Sequence, residues 1–166
     1  IVFPGFLDEC HDMLRKLERD KWESDLQLYP KLRTYKVFKS TFGTEPYLLS
    51  MLSPNLRSLL AQLRCGILPL RIETGRFCSP YLPADRRICQ ICYKEPEDEM
   101  HFLFKCPHYN NERFTWFNSI SEHIDIDHNC NIDKLKLIFK NKICIKATAL
   151  YVKDCMAKRS SYLTKQ

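Results

Sequence analysis

Cys89 and Cys92 form a C-x2-C pair, and His101, Cys106 and His108 follow within the next sixteen residues. Thiolate sulfur and imidazole nitrogen are the donors that a zinc ion takes in a tetrahedral set of four. Cys89, Cys92, His101 and Cys106 give the spacing C-x2-C-x8-H-x4-C, with His108 as the alternative fourth ligand to Cys106. A regular helix through His101 and Cys106 would leave them about 140° apart around its axis. Pro107 disfavours helical geometry at Cys106, so the helix is expected to end near Lys105, where the chain can swing the thiol back. The segment between the two halves, YKEPEDEM, is polar, contains Pro96 and reads as a loop or hairpin return. Within it Glu97, Asp98 and Glu99 read as a solvated acidic loop.

A redox C-x2-C would need a strand leading into a helix with the first thiol at the helix N-terminus. Proline and acidic residues follow here instead. A catalytic zinc keeps three protein ligands and a water, whereas four ligands close the ion and make its binding energy part of the folding energy. One structural Zn2+ is therefore the expected cofactor. No Gly-rich phosphate loop, nucleophile elbow or pair of aspartates in an apolar strand is present. Asp125 and Asp127, with His123 and His128 alongside, come nearest to a second metal site.

Charge is unevenly spread. Residues 1–30 hold four basic and seven acidic side chains, whereas residues 31–87 hold ten basic and three acidic. The ten are Lys31, Arg33, Lys36, Lys39, Arg57, Arg64, Arg71, Arg76, Arg86 and Arg87. Such an excess just upstream of the cysteine cluster suits a polyanion such as RNA or DNA. Tyr35, Phe77 and Tyr81 are the aromatic side chains there that could stack on unpaired bases. The other cysteines, Cys10, Cys65, Cys78, Cys130, Cys144 and Cys155, stand singly and are expected to be reduced and buried. The chain has neither a signal-peptide pattern nor an apolar run of membrane-spanning length. It reads as part of a longer intracellular protein, nuclear or cytoplasmic, with no membrane contact.

The elements that must position these residues are mostly helical. Residues 6–23 have Phe6, Leu7, Cys10, Leu14, Leu17 and Trp22 at near-helical spacing, and Tyr29-Pro30 breaks the pattern. KLRTYKVFKSTFG is a short helix with Leu32, Tyr35 and Phe38 on one side and Gly43 as its stop. SPNLRSLLAQLRCG carries Ser53 as N-cap, Pro54 at the first helical position and Gly66 just past the end. The proline-rich stretch to Arg87 is irregular with one short helical turn. YNNERFTWFNSISEHI is a helix burying Phe114, Phe117, Ile120 and Ile124. Two closing helices follow, the last with Cys144, Ala147, Tyr151 and Cys155 on one face. The fold class is mainly α, with a small knuckle inserted as a hairpin or loop leading into a helix. The expected division is a basic helical segment 1–87, the knuckle 88–109, and helices 110–166 packing as one unit with the rest.

KLRTYKVFKSTFGTEPYLL, LRCGILPLRIETGRF and CQICYKEPEDEMHFLFKCP together resemble the C-terminal region of LINE-type (non-LTR) retrotransposon reverse transcriptases of animals. The resemblance runs from Lys31 to Tyr109 and rests on Arg71-x-Glu73-x-Gly75-Arg76 combined with the C-C-H-C pattern. It implies a domain downstream of a polymerase core that grips element RNA or target DNA, with Cys89, Cys92, His101 and Cys106 as zinc ligands. The polymerase and endonuclease domains are absent, so the chain itself is not expected to be an enzyme. The parent polymerase domain is an expected partner, and the oligomeric state stays open. The alternative is a zinc-stabilised protein-interaction or scaffold module, of the kind a host gene derived from such an element would encode.

Overall fold

The computed structural model describes residues 5–39, 41–126 and 129–165, without the side chain of Phe38. Asp127 and His128 of the second metal-site reading, and the Phe38 side chain expected on the apolar side of its helix, lie outside the described residues. The chain is mainly α, as its periodicity predicts. The helices are α1 (Phe6–Leu28), α2 (Arg33–Phe38), α3 (Pro54–Cys65), α4 (Arg71–Thr74), α5 (Asn110–Ile120), α6 (Asn131–Lys140) and α7 (Lys142–Leu163). The β pairing among the described residues is a single antiparallel bridge, Ile88 to Pro96, inside the cysteine cluster.

α7 is the central element and packs against α3, α5 and α6. It buries Cys144, Ile145, Thr148, Ala149, Tyr151, Val152, Cys155 and Arg159, too broad a surface for one amphipathic stripe. Leu60 and Leu63 of α3, Trp116 and Ile120 of α5, and Leu135, Ile138 and Phe139 of α6 belong to the same core. Asn141 starts α7 by accepting hydrogen bonds from the N–H groups of Ile143 and Cys144 at 2.9 and 3.3 Å.

Local punctuation was legible in α3. It starts at Pro54 and ends at Gly66, which adopts the left-handed conformation at φ 67°. Gly66 is needed twice over, because a Cβ there would lie 2.8 Å from the Lys31 carbonyl oxygen. Ser53 holds the N-cap position, but its side chain makes no capping hydrogen bond. α2 is shorter than expected and stops at Phe38, before Gly43.

Burial departs from expectation in α5 and among the scattered cysteines, and α1 leaves its apolar positions in solvent. Phe6, Leu7, Leu14 and Leu17 of α1 are exposed, and the helix has no buried residue. Its C-terminal part meets the chain beyond α2, with Trp22 5.7 Å from the Phe42 ring. In α5 the buried positions are Arg113, Trp116 and Ile120, while Phe114 is 68% exposed. Ile120 is buried as expected and Phe117 and Ile124 are half-buried against the core, but Arg113, drawn inward by carbonyl acceptors, takes the place of Phe114. Of the six scattered cysteines only Cys144 and Cys155 are buried; Cys10, Cys65 and Cys78 are half-buried and Cys130 is exposed.

The register of α5 is testable. Phe114→Ser should change unfolding free energy by less than about 0.5 kcal/mol, as at ordinary surface sites. Trp116→Ala should cost about 3–5 kcal/mol, and it also removes the indole N–H bond to Thr148 Oγ1 at 3.0 Å. Urea unfolding of both variants checks this; a Phe114 variant as damaging as the Trp116 variant would overturn the assignment.

Candidate metal centre

The two halves of the cluster come from different local structures. Cys89 and Cys92 sit on a tight turn in which the Tyr93 N–H donates to the Cys89 carbonyl at 3.0 Å. Tyr93 then takes a positive φ of 57°, an uncommon conformation for a bulky residue, which sharpens the turn. A hairpin returns the chain: Cys89 N–H donates to Glu95 O at 2.9 Å and Glu97 N–H to Arg87 O at 3.0 Å. His101 and Cys106 lie at the two ends of a π-helical turn, His101–Lys105, closed by the Cys106 N–H donating to the His101 carbonyl at 2.8 Å. The expected end of helix at Lys105 is therefore present. The extra residue in the turn is what overcomes the azimuthal mismatch of a regular helix.

One ligand atom from each of Cys89, Cys92, His101 and Cys106 lies within 4.8 Å of every other. A tetrahedron with metal–sulfur bonds of ~2.3 Å has edges of about 3.8 Å, so contraction by about an ångström seats an ion. Cys92 Sγ is already 3.3 Å from His101 Nε2. All four side chains are buried or half-buried. His108 stays outside the set: its ring packs edge-on between Tyr109 and Tyr162, each 5.1 Å away. Cys106 is thus the fourth member of the cluster.

The electrostatics favour thiolate at Cys89 and the neutral thiol at Cys92 and Cys106. The Cys106 thiol donates to Cys89 and pushes the Cys89 pKa well below the ordinary thiol value, with the amides of Cys92 and Ile91 adding further hydrogen bonds. Cys106 is correspondingly raised by that bond and by burial, although the His108 amide opposes the shift. Burial raises Cys92, partly offset by the Lys94 amide. Burial alone would lower His101, but hydrogen bonding to Cys89 and Glu95 outweighs it and raises the pKa. Converging thiols with amides aimed at their sulfurs are what a dication of borderline softness requires.

The acidic stretch is not a solvated loop. Glu97 is fully buried and Glu99 nearly so. Glu97 accepts two hydrogen bonds from Arg159 of α7, at 2.9 and 2.8 Å, and one from the Arg71 backbone N–H at 2.6 Å. Glu99 receives Arg33 Nε and Nη2 at 3.1 and 2.6 Å and the Thr34 hydroxyl at 3.1 Å. Asp98 Oδ1 accepts from the His101 N–H at 2.7 Å and so caps the turn that carries the ligand. Glu95 places a carboxylate oxygen 3.2 Å from His101 Nδ1, the nitrogen turned away from the cluster. A carboxylate in that position orients a ligating imidazole and raises its basicity. The polar composition of this stretch hid four separate structural roles.

Arg113 and Tyr151 are further supports that the sequence reading missed. Arg113 donates to Leu103 O and Cys106 O, both at 2.8 Å, and Tyr151 donates its hydroxyl to Leu103 O at 3.1 Å. They satisfy carbonyls that the widened turn leaves without regular helical partners. An arginine at a core-facing helix position was the available signal.

The ten basic candidates divide. Arg64 is buried, paired with Glu45, and lies 5.2 Å from the Tyr47 ring centroid and 4.7 Å from that of Phe139. Arg33 is bound to Glu99 as above. Arg87 is buried and donates to the Ile72 and Leu82 carbonyls at 2.6 and 2.9 Å. These three are committed inside the fold, which departs from a charge count that treats every arginine as surface. Lys31 and Arg76 both pair with Glu73, at 2.7 and 2.9 Å, and Lys39 pairs with Glu45. Lys36 and Arg57 reach the carbonyls of Gln27 and Leu52. Arg71 and Arg86 have no side-chain partner among the described residues. Tyr35 lies beside Arg64, 5.8 Å from ring centroid to guanidinium, whereas Phe77 and Tyr81 stand 80% and 70% exposed.

The chain matches no family model, no curated protein and no solved structure. The cluster of three thiols and one imidazole that can hold a metal ion is thus defined by this chain's own geometry.

Two substitutions separate the roles of the acidic residues. Glu95→Gln should lower metal affinity about ten- to hundredfold, read by competition with a chromogenic chelator, with little loss of fold. Glu97→Gln should cost about 3–5 kcal/mol, because it leaves Arg159 buried and uncompensated. Thermal melting of the metal-loaded protein checks the second; an unchanged melting curve would contradict it.

Proposed function

We propose that this chain is a non-catalytic nucleic-acid-binding module stabilised by one structural Zn2+, and that it forms the C-terminal part of a retrotransposon-type reverse transcriptase. The observation that carries the reading is how the basic loop is mounted. The loop from Arg71 to Arg87 is pinned at both ends to the metal-site hairpin: Arg71 N–H to Glu97 Oε2 and Ile72 N–H to Glu97 O at its start, and Glu97 N–H to Arg87 O at its end. Between these pins the loop carries Arg71, Arg76 and Arg86. A metal that closes the hairpin would hold those cations in fixed positions, where they can contact phosphates with little base reading.

Zinc is the metal that fits three sulfurs and one imidazole in a closed tetrahedron. Four protein ligands leave no position for an activated water, which argues against a hydrolase. All nine cysteines are free thiols, in keeping with a reducing compartment such as nucleus or cytoplasm. No helix among the described residues is long and apolar enough to cross a membrane.

A second reading, a protein-interaction module, is favoured by one observation. α1 presents Phe6, Leu7, Met13, Leu14 and Leu17 to solvent on an acidic helix that would repel nucleic acid. A parent polymerase domain or another protein would cover such a stripe.

The proposal predicts one zinc per chain by elemental analysis, lost in Cys89→Ser together with a large fall in melting temperature. It also predicts binding of RNA or DNA that weakens steeply as salt rises. Failure to retain labelled RNA or DNA at low salt, with salt-insensitive capture of a protein instead, would favour the second reading and overturn the first.

A further inference from the structure

We propose that Phe77 and Tyr81 form a stacking platform for unpaired bases of a single-stranded nucleic acid, with Arg71, Arg76 and Arg86 contacting its phosphates. This rests on the nucleic-acid reading above and narrows it from any polyanion to a single strand.

The two rings lie four residues apart in one short loop and are among the most exposed aromatic side chains described. Elsewhere Phe102, Tyr109, Trp116 and Tyr151 are buried in the core. Exposure alone means little, since single apolar side chains on a surface are ordinary. What distinguishes this loop is its mount. The buried Arg87 donates to Ile72 O, Leu82 O and, at 3.2 Å, to the Tyr81 hydroxyl. Its guanidinium also lies 5.6 Å from the Tyr81 ring centroid, which leaves the rest of that ring open to solvent. Gly75 makes room for this arginine: a Cβ there would come within 2.7 Å of Arg87 Cγ. Arg87 therefore holds the Tyr81 side of the loop, and the Tyr81 ring needs little further ordering on binding.

The surrounding charge selects the occupant. Arg71 and Arg86 carry cations with no side-chain partner among the described residues, and Arg76 shares Glu73 with Lys31. Flat π faces beside guanidinium groups match the alternation of base and phosphate along a single strand. In a duplex the base faces are already stacked on one another, so the rings would gain nothing there.

The test uses the full zinc-loaded chain and fluorescence anisotropy with labelled RNA and DNA oligonucleotides, each as single strand and as duplex. Phe77→Ala and Tyr81→Ala should each weaken single-strand binding about fivefold to hundredfold, with duplex affinity changed less than about twofold and melting temperature unchanged. Tyr81→Phe, which keeps the ring but loses the hydroxyl bond to Arg87, should retain most of the single-strand affinity that Tyr81→Ala loses. Arg86→Ala should weaken both forms and lower the salt slope by about one. Equal single-strand binding by wild type and both alanine variants would overturn the platform while leaving the nucleic-acid reading intact. Equal losses on duplex would also overturn it. A wild-type chain that binds no oligonucleotide, or is competed off as well by a glutamate polymer, would overturn both.

Discussion

The fully buried carboxylate of Glu97 is the constraint on which much of the structure depends. A buried, ionised carboxylate is tolerable only if each of its oxygens is satisfied. Here the donors come from α7 through Arg159 and from the start of α4 through the Arg71 amide. The Glu97 backbone adds its own pair of hydrogen bonds, to Ile72 and Arg87. One residue in the middle of the hairpin beside the cysteine cluster thus ties together the closing helix, the basic loop and the knuckle. Glu99 repeats the device on the other side by engaging Arg33 and Thr34 of α2.

The candidate metal centre depends on a second compromise, the π-helical turn. Bringing His101 and Cys106 to one point required a residue more than an α-helical turn accommodates, and the cost is backbone carbonyls without helical partners. Arg113 and Tyr151 repay it from α5 and α7. The cluster is therefore not an isolated insertion. Its ligands are presented by a hairpin and a turn whose polar groups are completed by the surrounding helices.

The same physics reshapes the meaning of the basic excess. A sequence count treats each cation as available, yet Arg64 and Arg87 are buried inside the fold and the half-buried Arg33 is bound to Glu99. Of the ten, Lys31 and Arg86 are exposed, and Arg86 lies with the half-buried Arg71 and Arg76 on the loop that the knuckle clamps. The set of cations left outside the core is thus smaller than composition suggests. The acidic, apolar-striped α1 stands apart from that surface and presents a different kind of face.

Several features were legible from residues alone because they follow from local rules. The C-x2-C pair, His101 and Cys106 could be grouped by donor chemistry, and Pro107 announced the end of the helix. Pro54 and Gly66 bracketed α3, and Cys144, Tyr151 and Cys155 marked a core face of α7. The tertiary structure alone decided whether a polar side chain faces water or a partner. Glu97 and Glu99 look like a solvated loop until Arg159 and Arg33, sixty-two and sixty-six residues away, arrive beside them. Arg113 turned inward in place of Phe114 because two carbonyls needed it, and among the described residues nothing covers the stripe of α1. Periodicity reports which side chains prefer to leave water; it contains no information on which distant donor will meet a buried charge, and that pairing exists only once the helices have packed.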